Sequence, residues 1–325
     1  PPMLGIRTLA RIAGLLTFAA AAATASAQTY PSKPIKLIVP YATGGFSDAL
    51  ARQLAQKFTE SMGQAVVVEN KPGASTIIGV AAAAKAPADG YTLLLATGAL
   101  TINPHLFPKL PYDAERDFSP IGRVADLPYV LVSHPSLPVN SFKEFLAYVK
   151  ANPEKVNFGT PGNGTAPHLA MQLLEDAAGI SVHKLHYKGN GPALTDLVGG
   201  QINLLLDGLQ QPLPFITSGK LKLLATASLK RLPNLPDVPA IAESFPGFEA
   251  STWYQLLAPA GTPAPIIARL NAEIEKFTKD PAIRDRLLSQ GAIMHSSSPQ
   301  ELAAYSKAET KRWGEIISKA GIKLE

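Results

Sequence analysis

From Ile35 onward, short apolar runs trade places with segments whose apolar residues recur at three- and four-residue spacing, the rhythm of strands followed by amphipathic helices. The runs predict strands at Ile35–Val39, Ala65–Glu69, Thr92–Ala96, Val130–Ser133, Val156–Gly159, Leu185–Tyr187, Ile202–Asp207, Leu221–Ala225 and Tyr254–Ala258. The helical spacing predicts helices at Asp48–Met62, Ile77–Ala86, Phe142–Ala151, Pro167–Ala178, Pro192–Val198 and Leu213–Ser218. This alternation points to an α/β protein on largely parallel sheets. Toward the C-terminus the texture changes to two or three helices without strands between them. Ile266, Ile267, Leu270, Ile274 and Phe277 mark one, and the capping box Ser298-Pro299-Gln300-Glu301 opens another. This tail is expected to pack on the first domain.

Two segments, Gly122–Tyr129 and Glu249–Tyr254, lead from loop-like sequence into a new strand. Two such crossings imply a discontinuous first domain with a second inserted, the layout of a hinged binding protein that closes on its ligand. The expected division is residues 28–126 with 254–325 for lobe one, and 127–253 for lobe two.

Residues 1–27 stand outside this pattern. Arg7 and Arg11 precede an apolar run, Ile12–Ala23, and Ala25-Ser26-Ala27 offers small residues for cleavage, as a secretory signal does. The run is shorter than the roughly 20 residues of a membrane span. The chain opens on Pro1-Pro2 rather than Met, so its start is expected to be fragmentary or misplaced. Without Arg7 and Arg11, 28 basic residues face 25 acidic ones, a net of +3 that argues against nucleic acid as partner. The absence of cysteine removes disulfides, thiolate metal sites and a lipidated tether. A freely soluble exported protein, cleaved near Ala27, is expected in a periplasm.

The candidate chemistry lies in two glycine turns. Thr43-Gly44-Gly45-Phe46-Ser47 connects a predicted strand to a helix beginning near Asp48, at the carboxyl end of a strand, where open α/β sheets bind ligands. The N–H groups of a helix start favour an anion, although the same turn serves equally as a plain connection capped by Ser47 or Asp48. Asn157 to Thr165 repeats the arrangement, with Thr160, Asn163, Gly164 and Thr165 ahead of a helix carrying His168. Two amide-rich turns facing across a cleft suit a small carboxylate held by N–H groups, hydroxyls and water. Neither turn is GxGxxG or GxxxxGK[ST], and the chain has no GxSxG, no HExxH and no Cys, which removes the usual nucleotide and hydrolase readings. His183 and His186 straddle a strand entrance, a poor metal geometry. His168 either orients the second turn or caps its helix. Asp207 ends a nearly all-apolar strand, so its carboxylate either holds a neighbouring loop or meets a ligand amine, hydroxyl or water.

The stretches YPSKPIKLIVPYATGGFSDALAR, VVVENKPGAST, ADGYTLLLAT, HPSLPVNS, VNFGTPGNGTAPHLA, HYKGNGPALTDLVGGQINLLLDG, GKLKLLATASLKRLPNLPDVPAIAE and APAGTPAP resemble, in order, the extracytoplasmic solute receptors of tripartite tricarboxylate transporters, the Bug receptors. The resemblance implies a two-lobed, Venus-flytrap α/β fold with a hinged cleft, no catalytic residue, no cofactor and no metal. It implies that a di- or tricarboxylate, amino acid or aromatic acid is captured for the membrane subunits of such a transporter, or for a sensor partner; a monomer is the default expectation. Carried over by motif, the site comprises Thr43, Gly45, Phe46, Ser47 and Asp48 in the first turn and Thr160, Asn163, Gly164, Thr165 and His168 in the second. Asp207 lies near them, with Thr97 and Ser75 as outer members. The chain departs from the family pattern at Tyr41, at Phe46 and at Ser75-Thr76, where glycine often follows PGA. An aromatic rim at Phe46 would favour an aromatic acid, unless the ring serves lobe packing. An exported enzyme using Asp48, His168 and Asp207, and an interaction module without a small ligand, are the competing classes.

Overall fold

A computed structural model describes residues 30–324; the predicted export signal lies outside the described residues. The chain runs β1 (Ile35–Val39), α1 (Phe46–Met62), β2 (Val66–Asn70), α2 (Ile77–Ala84), β3 (Thr92–Thr97), α3 (Ala99–Leu106), β4 (Phe118–Ser133), α4 (Phe142–Ala151) and β5 (Asn157–Thr160). It continues α5 (Ala166–Ala178), β6 (His183–His186), α6 (Asn190–Val198), β7 (Leu204–Gly208), α7 (Leu213–Thr217), β8 (Lys222–Thr226), β9 (Ser251–Pro259), α8 (Ala264–Lys279), α9 (Pro281–Ser289), β10 (Ile293–Met294) and α10 (Pro299–Ala320).

The strands lie in the order β2-β1-β3-β9-β4-β7-β5-β6, with β8 and β10 also paired to β4. The long strand β4 organises the molecule. Its first part, Phe118–Pro128, pairs antiparallel with β9, whereas Tyr129–Ser133 pairs antiparallel with β7. One strand thus serves two sheets, and its partner β9 runs beside it through the changeover, Leu127 opposite Thr252 and Pro128 opposite Ser251. The predicted crossing Gly122–Tyr129 is therefore strand throughout, whereas Glu249–Tyr254 enters β9 only at Ser251. The first escaped the pattern because Pro120, Gly122, Arg123 and Asp126 interrupt the apolar alternation, and the register shifts at Pro120/Gly122 and Arg123/Ala125 absorb those residues as bulges.

The expectation of largely parallel sheets is corrected. The pairs β1–β2, β1–β3, β5–β6 and β5–β7 are parallel, but every pairing of β4 and β9 is antiparallel. Pairing direction depends on where a distant strand returns, which a local pattern does not encode. The C-terminal region also differs from expectation, since β10 separates α9 from α10 and pairs with β4.

Each sheet buries its two faces. On one face of the β1 sheet, Leu50, Leu54 and Phe58 of α1 meet Leu270, Ile274 and Phe277 of α8; on the other, Val80 and Leu100 pack with Trp253 and Leu302. Phe142, Phe145 and Leu174 cover one face of the β7 sheet, and Leu194 and Leu197 the other. A fully buried side chain of this size contributes about 1.5–3 kcal/mol, so each lobe carries a core of its own. A fifth cluster joins Ile102 and Leu106 of α3, Leu169 of α5, and Trp313 and Ile317 of α10. The tail thus packs on the first lobe, as expected, and also reaches α5.

Candidate functional site

A cavity of about 600 Å³ lies where the loops of both sheets meet. Its wall takes in the residues that open four helices: Gly45 and Phe46 at α1, Gly98 and Ala99 at α3, Thr165 and Ala166 at α5, Gly189 and Asn190 at α6. In none of the four does the residue preceding the helix cap the first turn with its side chain. The partial positive ends of four helices therefore face one space. Thr97 Oγ1 engages the Ala99 N–H at 3.3 Å, so the α3 end is partly quenched.

The first turn is held from behind. Asp48 is buried and accepts from the Gly44 N–H at 3.1 Å, the Asn70 amide at 3.1 Å and Arg52 at 3.0 and 3.1 Å. Arg52 foremost, with Gly44 and Asn70, keeps its carboxyl below the ordinary carboxylate range against the opposing effect of burial. Gly44 takes φ +89°, a left-handed angle that glycine adopts without strain. The second turn has its own support. His168 Nδ1 accepts from the Gly164 N–H at 3.0 Å, its ring lies 4.9 Å from His186, and His186 Nδ1 meets Thr160 Oγ1 at 2.8 Å. Burial, then His186 and Lys184, pushes His168 down to about 4, so it stays neutral and able to accept. Gly164 sits at φ +72°, and a Cβ there would stand 2.6 Å from Leu106 Cδ1; glycine suits both the backbone angle and the close approach to α3, and a larger residue would have to displace the Leu106 side chain.

Between the turns stand three phenols, Tyr129 and Tyr254 buried and Tyr41 half-buried, each with a hydroxyl partner: Tyr41 with Thr97 at 2.6 Å, Tyr129 with Thr252 at 2.9 Å, and Tyr254 with Ser47 at 3.3 Å. Burial raises all three above the ordinary tyrosine value, so they remain protonated. Asp207, 3% exposed at the end of β7, lines the far wall, where burial pushes its carboxyl up to about 7 despite the Gly208 N–H.

Of the residues expected from sequence, Thr43, Gly45, Phe46, Ser47, Ser75, Thr97, Asn163, Gly164, Thr165 and Asp207 line the cavity. Asp48, Thr160 and His168 do not; they brace the turns. Phe46 is nearly buried and lies 5.5 Å from the Tyr254 ring, so it contributes to packing as well as wall. Tyr41, Asn103, Tyr129, Tyr254 and the Gly189–Gly191 turn line the cavity without having been singled out as contacts. The last had a legible signal, since KGNGP is a third glycine turn ahead of a helix. Ala74, Ser75 and Thr76 take successive left-handed angles, φ 45°, 52° and 77°, with the Asn103 amide bonded to Ser75 O at 2.9 Å. Among the described residues no cluster of His, Asp or Glu could hold a metal, and no helix is long and apolar enough to cross a membrane.

The family model described as "Tripartite tricarboxylate transporter family receptor" matches residues 50–322. The chain belongs to this family. The receptor is 38% identical over 322 residues to Protein BugT of Bordetella pertussis, covering 98% of this chain and 99% of that one. A solved structure of R. palustris Rpa4515 with adipate matches it with a TM-score of 0.82 at 34% identity, over 91% of this chain and all, 100%, of that one. The periplasmic binding protein BugD matches with a TM-score of 0.78 at 38% identity, again over 91% and 100%. The receptor thus has the two-lobed, Venus-flytrap α/β architecture of these solute-binding proteins.

Proposed function

We propose that the cleft captures a small carboxylate, one carboxylate group sitting against the Gly45–Ser47 turn and meeting the second turn across the cavity. The observation that carries this reading is the convergence of four helix starts on one cavity, with a side-chain oxygen, Thr97 Oγ1, on the opening N–H groups of α3 alone. A helix end stabilises an adjacent anion by about 0.3–1 kcal/mol when exposed and up to about 2 when partly buried. Several acting together hold a carboxylate without a salt bridge. Lysine, arginine and histidine are absent from the cavity wall among the described residues, so helix ends, hydroxyls and neutral phenols are the available donors. The adipate found with R. palustris Rpa4515 supports the same ligand class here.

The lobes meet at the changeover of β4 and β9, which supports boundaries near residues 127 and 253, with residues 28–126 and 254–325 in lobe one and 127–253 in lobe two. Closure follows when the ligand contacts both turns at once. The protein acts without catalysis, since Asp48 and His168 are engaged behind the turns and only Asp207 faces the cavity. It is exported by a signal cleaved near Ala27, works as a monomer in the periplasm, and passes its acid to the membrane subunits of a tripartite transporter or to a sensor.

A thermal-shift screen of the chain from Gln28 against small acids and their amides tests this. At a hundredfold excess over Kd, binding contributes about 2.7 kcal/mol, which raises Tm by roughly 5–10 °C for a domain of this size. An acid that stabilises while its amide does not supports the reading. Stabilisation by amides or neutral compounds alone would refute it.

A further inference from the structure

The cavity wall carries one full charge-bearing side chain among the described residues, and it is an acid. Asp207 lies near the C-terminal end of β7 with its Oδ1 occupied twice, by the Asn190 amide at 2.6 Å and the Gly208 N–H at 2.8 Å. Its Oδ2 finds no hydrogen-bond partner in the protein, and neither does Asn190 Oδ1 beside it. Both atoms are shielded from bulk water, where an unmet acceptor costs about 1–3 kcal/mol. A purely structural Asp–Asn clasp would satisfy both oxygens; this one leaves two unmet acceptors on residues that line a ligand cavity.

Resting on the carboxylate reading above, we propose that Asp207 and Asn190 select acids bearing a hydrogen-bond donor, an amino acid foremost and a hydroxy acid second, by receiving the ammonium or hydroxyl while the helix ends hold the carboxylate. The two walls are then complementary to a zwitterion. A plain dicarboxylate instead places its second negative group against the Asp207 carboxylate and the lone pairs of Asn190 Oδ1, with no cationic side chain in the cavity wall among the described residues. The titratable groups facing Asp207 are Tyr129 of β4 and Tyr254 of β9, both protonated phenols that leave its charge uncompensated. α6 contributes Asn190, which is neutral.

The carboxyl of Asp207, held near 7 by burial, supplies a readout independent of mutation. An ammonium beside it favours the ionised form, so binding an amino acid at pH 7 releases a fraction of a proton, up to about half. Binding a plain dicarboxylate favours the protonated form and takes a proton up.

The experiment is titration calorimetry of the chain from Gln28 with matched probes: succinate, L-malate and L-aspartate, then glutarate and L-glutamate, then benzoate and 2-aminobenzoate. Each probe is titrated in buffers of different ionisation enthalpy. The expected result is tighter binding of a donor-bearing member than of its plain partner by about tenfold or more, with proton release. In Asp207→Asn that ratio falls at least tenfold. Asn190→Ser, which shortens the acceptor, lowers it in the same direction should Asp207→Asn misfold. A plain acid binding tightest, with proton uptake, overturns the selection while leaving the carboxylate reading intact. So does a ratio unchanged in both variants. Absence of binding by every acid, with amides or neutral compounds stabilising instead, overturns the carboxylate reading and the selection with it.

Discussion

Replacing Asp48 by Ala removes the brace of the first turn without touching the cavity wall. Three hydrogen bonds go, from the Gly44 N–H, the Asn70 amide and Arg52 Nε, together with the ion-pair contact of the Arg52 guanidinium. The Arg52 side chain is 55% exposed, so its guanidinium rehydrates, and the ion pair counts for only about 0.5–1 kcal/mol. The partly buried Gly44 and Asn70 donors each forfeit about 1 kcal/mol. The expected loss is about 2–3 kcal/mol, or roughly 4–12 °C in Tm at 2–4 °C per kcal/mol. The pH dependence follows from the lowered native value of Asp48. Its contribution is fully present above the unfolded value near 4 and is lost as pH falls through the lower native value. Differential scanning calorimetry of wild type and Asp48→Ala should show the full gap at pH 7 and a shrinking one below about 4. A gap constant to pH 3, or equal melting at pH 7, would refute the bracing role. Affinity for the screened acid should fall with the turn's order even though Asp48 lines nothing.

His168 is held near 4 against an ordinary 6.5, so the folded state resists its protonation. Stability is full above about 6.5 and declines by at most about 3 kcal/mol between 6.5 and 4; chemical denaturation should give His168→Gln a flatter slope over that window, and identical slopes would exclude the effect. Phe46→Ala should cost about 2–3 kcal/mol, below the range for a fully enclosed Phe because one side faces the cavity, and unchanged stability in urea would show the ring to be rim rather than core. Thr76, a β-branched residue at φ 77°, should yield about 1 kcal/mol of added stability on replacement by Gly, read as a higher denaturation midpoint; a lower midpoint would show that its contact with Asn103 outweighs the strain.

The strand-and-helix pattern was legible wherever one element buries one face, and α4 and most of α1 and α5 follow their apolar spacing closely. It failed where tertiary packing overrides local preference. α3 contains Asn103, Pro104 and His105 and has little amphipathic signal, yet Leu100, Ile102 and Leu106 are buried on either side of it. α9 likewise buries only Ile283 and Leu287. The two glycine turns could be read because strand, glycines and helix follow one another in sequence. Tyr41, Tyr129 and Tyr254 could not, since their meeting at the cavity depends on β4 passing from one sheet into the other with β9 beside it. Chemistry alone likewise did not distinguish wall from brace: Asp48, Thr160 and His168 have the polarity of contacts, and only the fold turns them inward to Gly44, His186 and Gly164.

The most direct measurement is a crystal structure of the chain from Gln28 with the acid that stabilises it most. The expected result is a carboxylate between the lobes, its oxygens about 2.7–3.2 Å from donors of the Gly45–Ser47 turn, with the second turn on its opposite side. An acid bound outside this cavity, or seated within it with its carboxylate away from every helix start, would show that the helix ends do not hold the ligand.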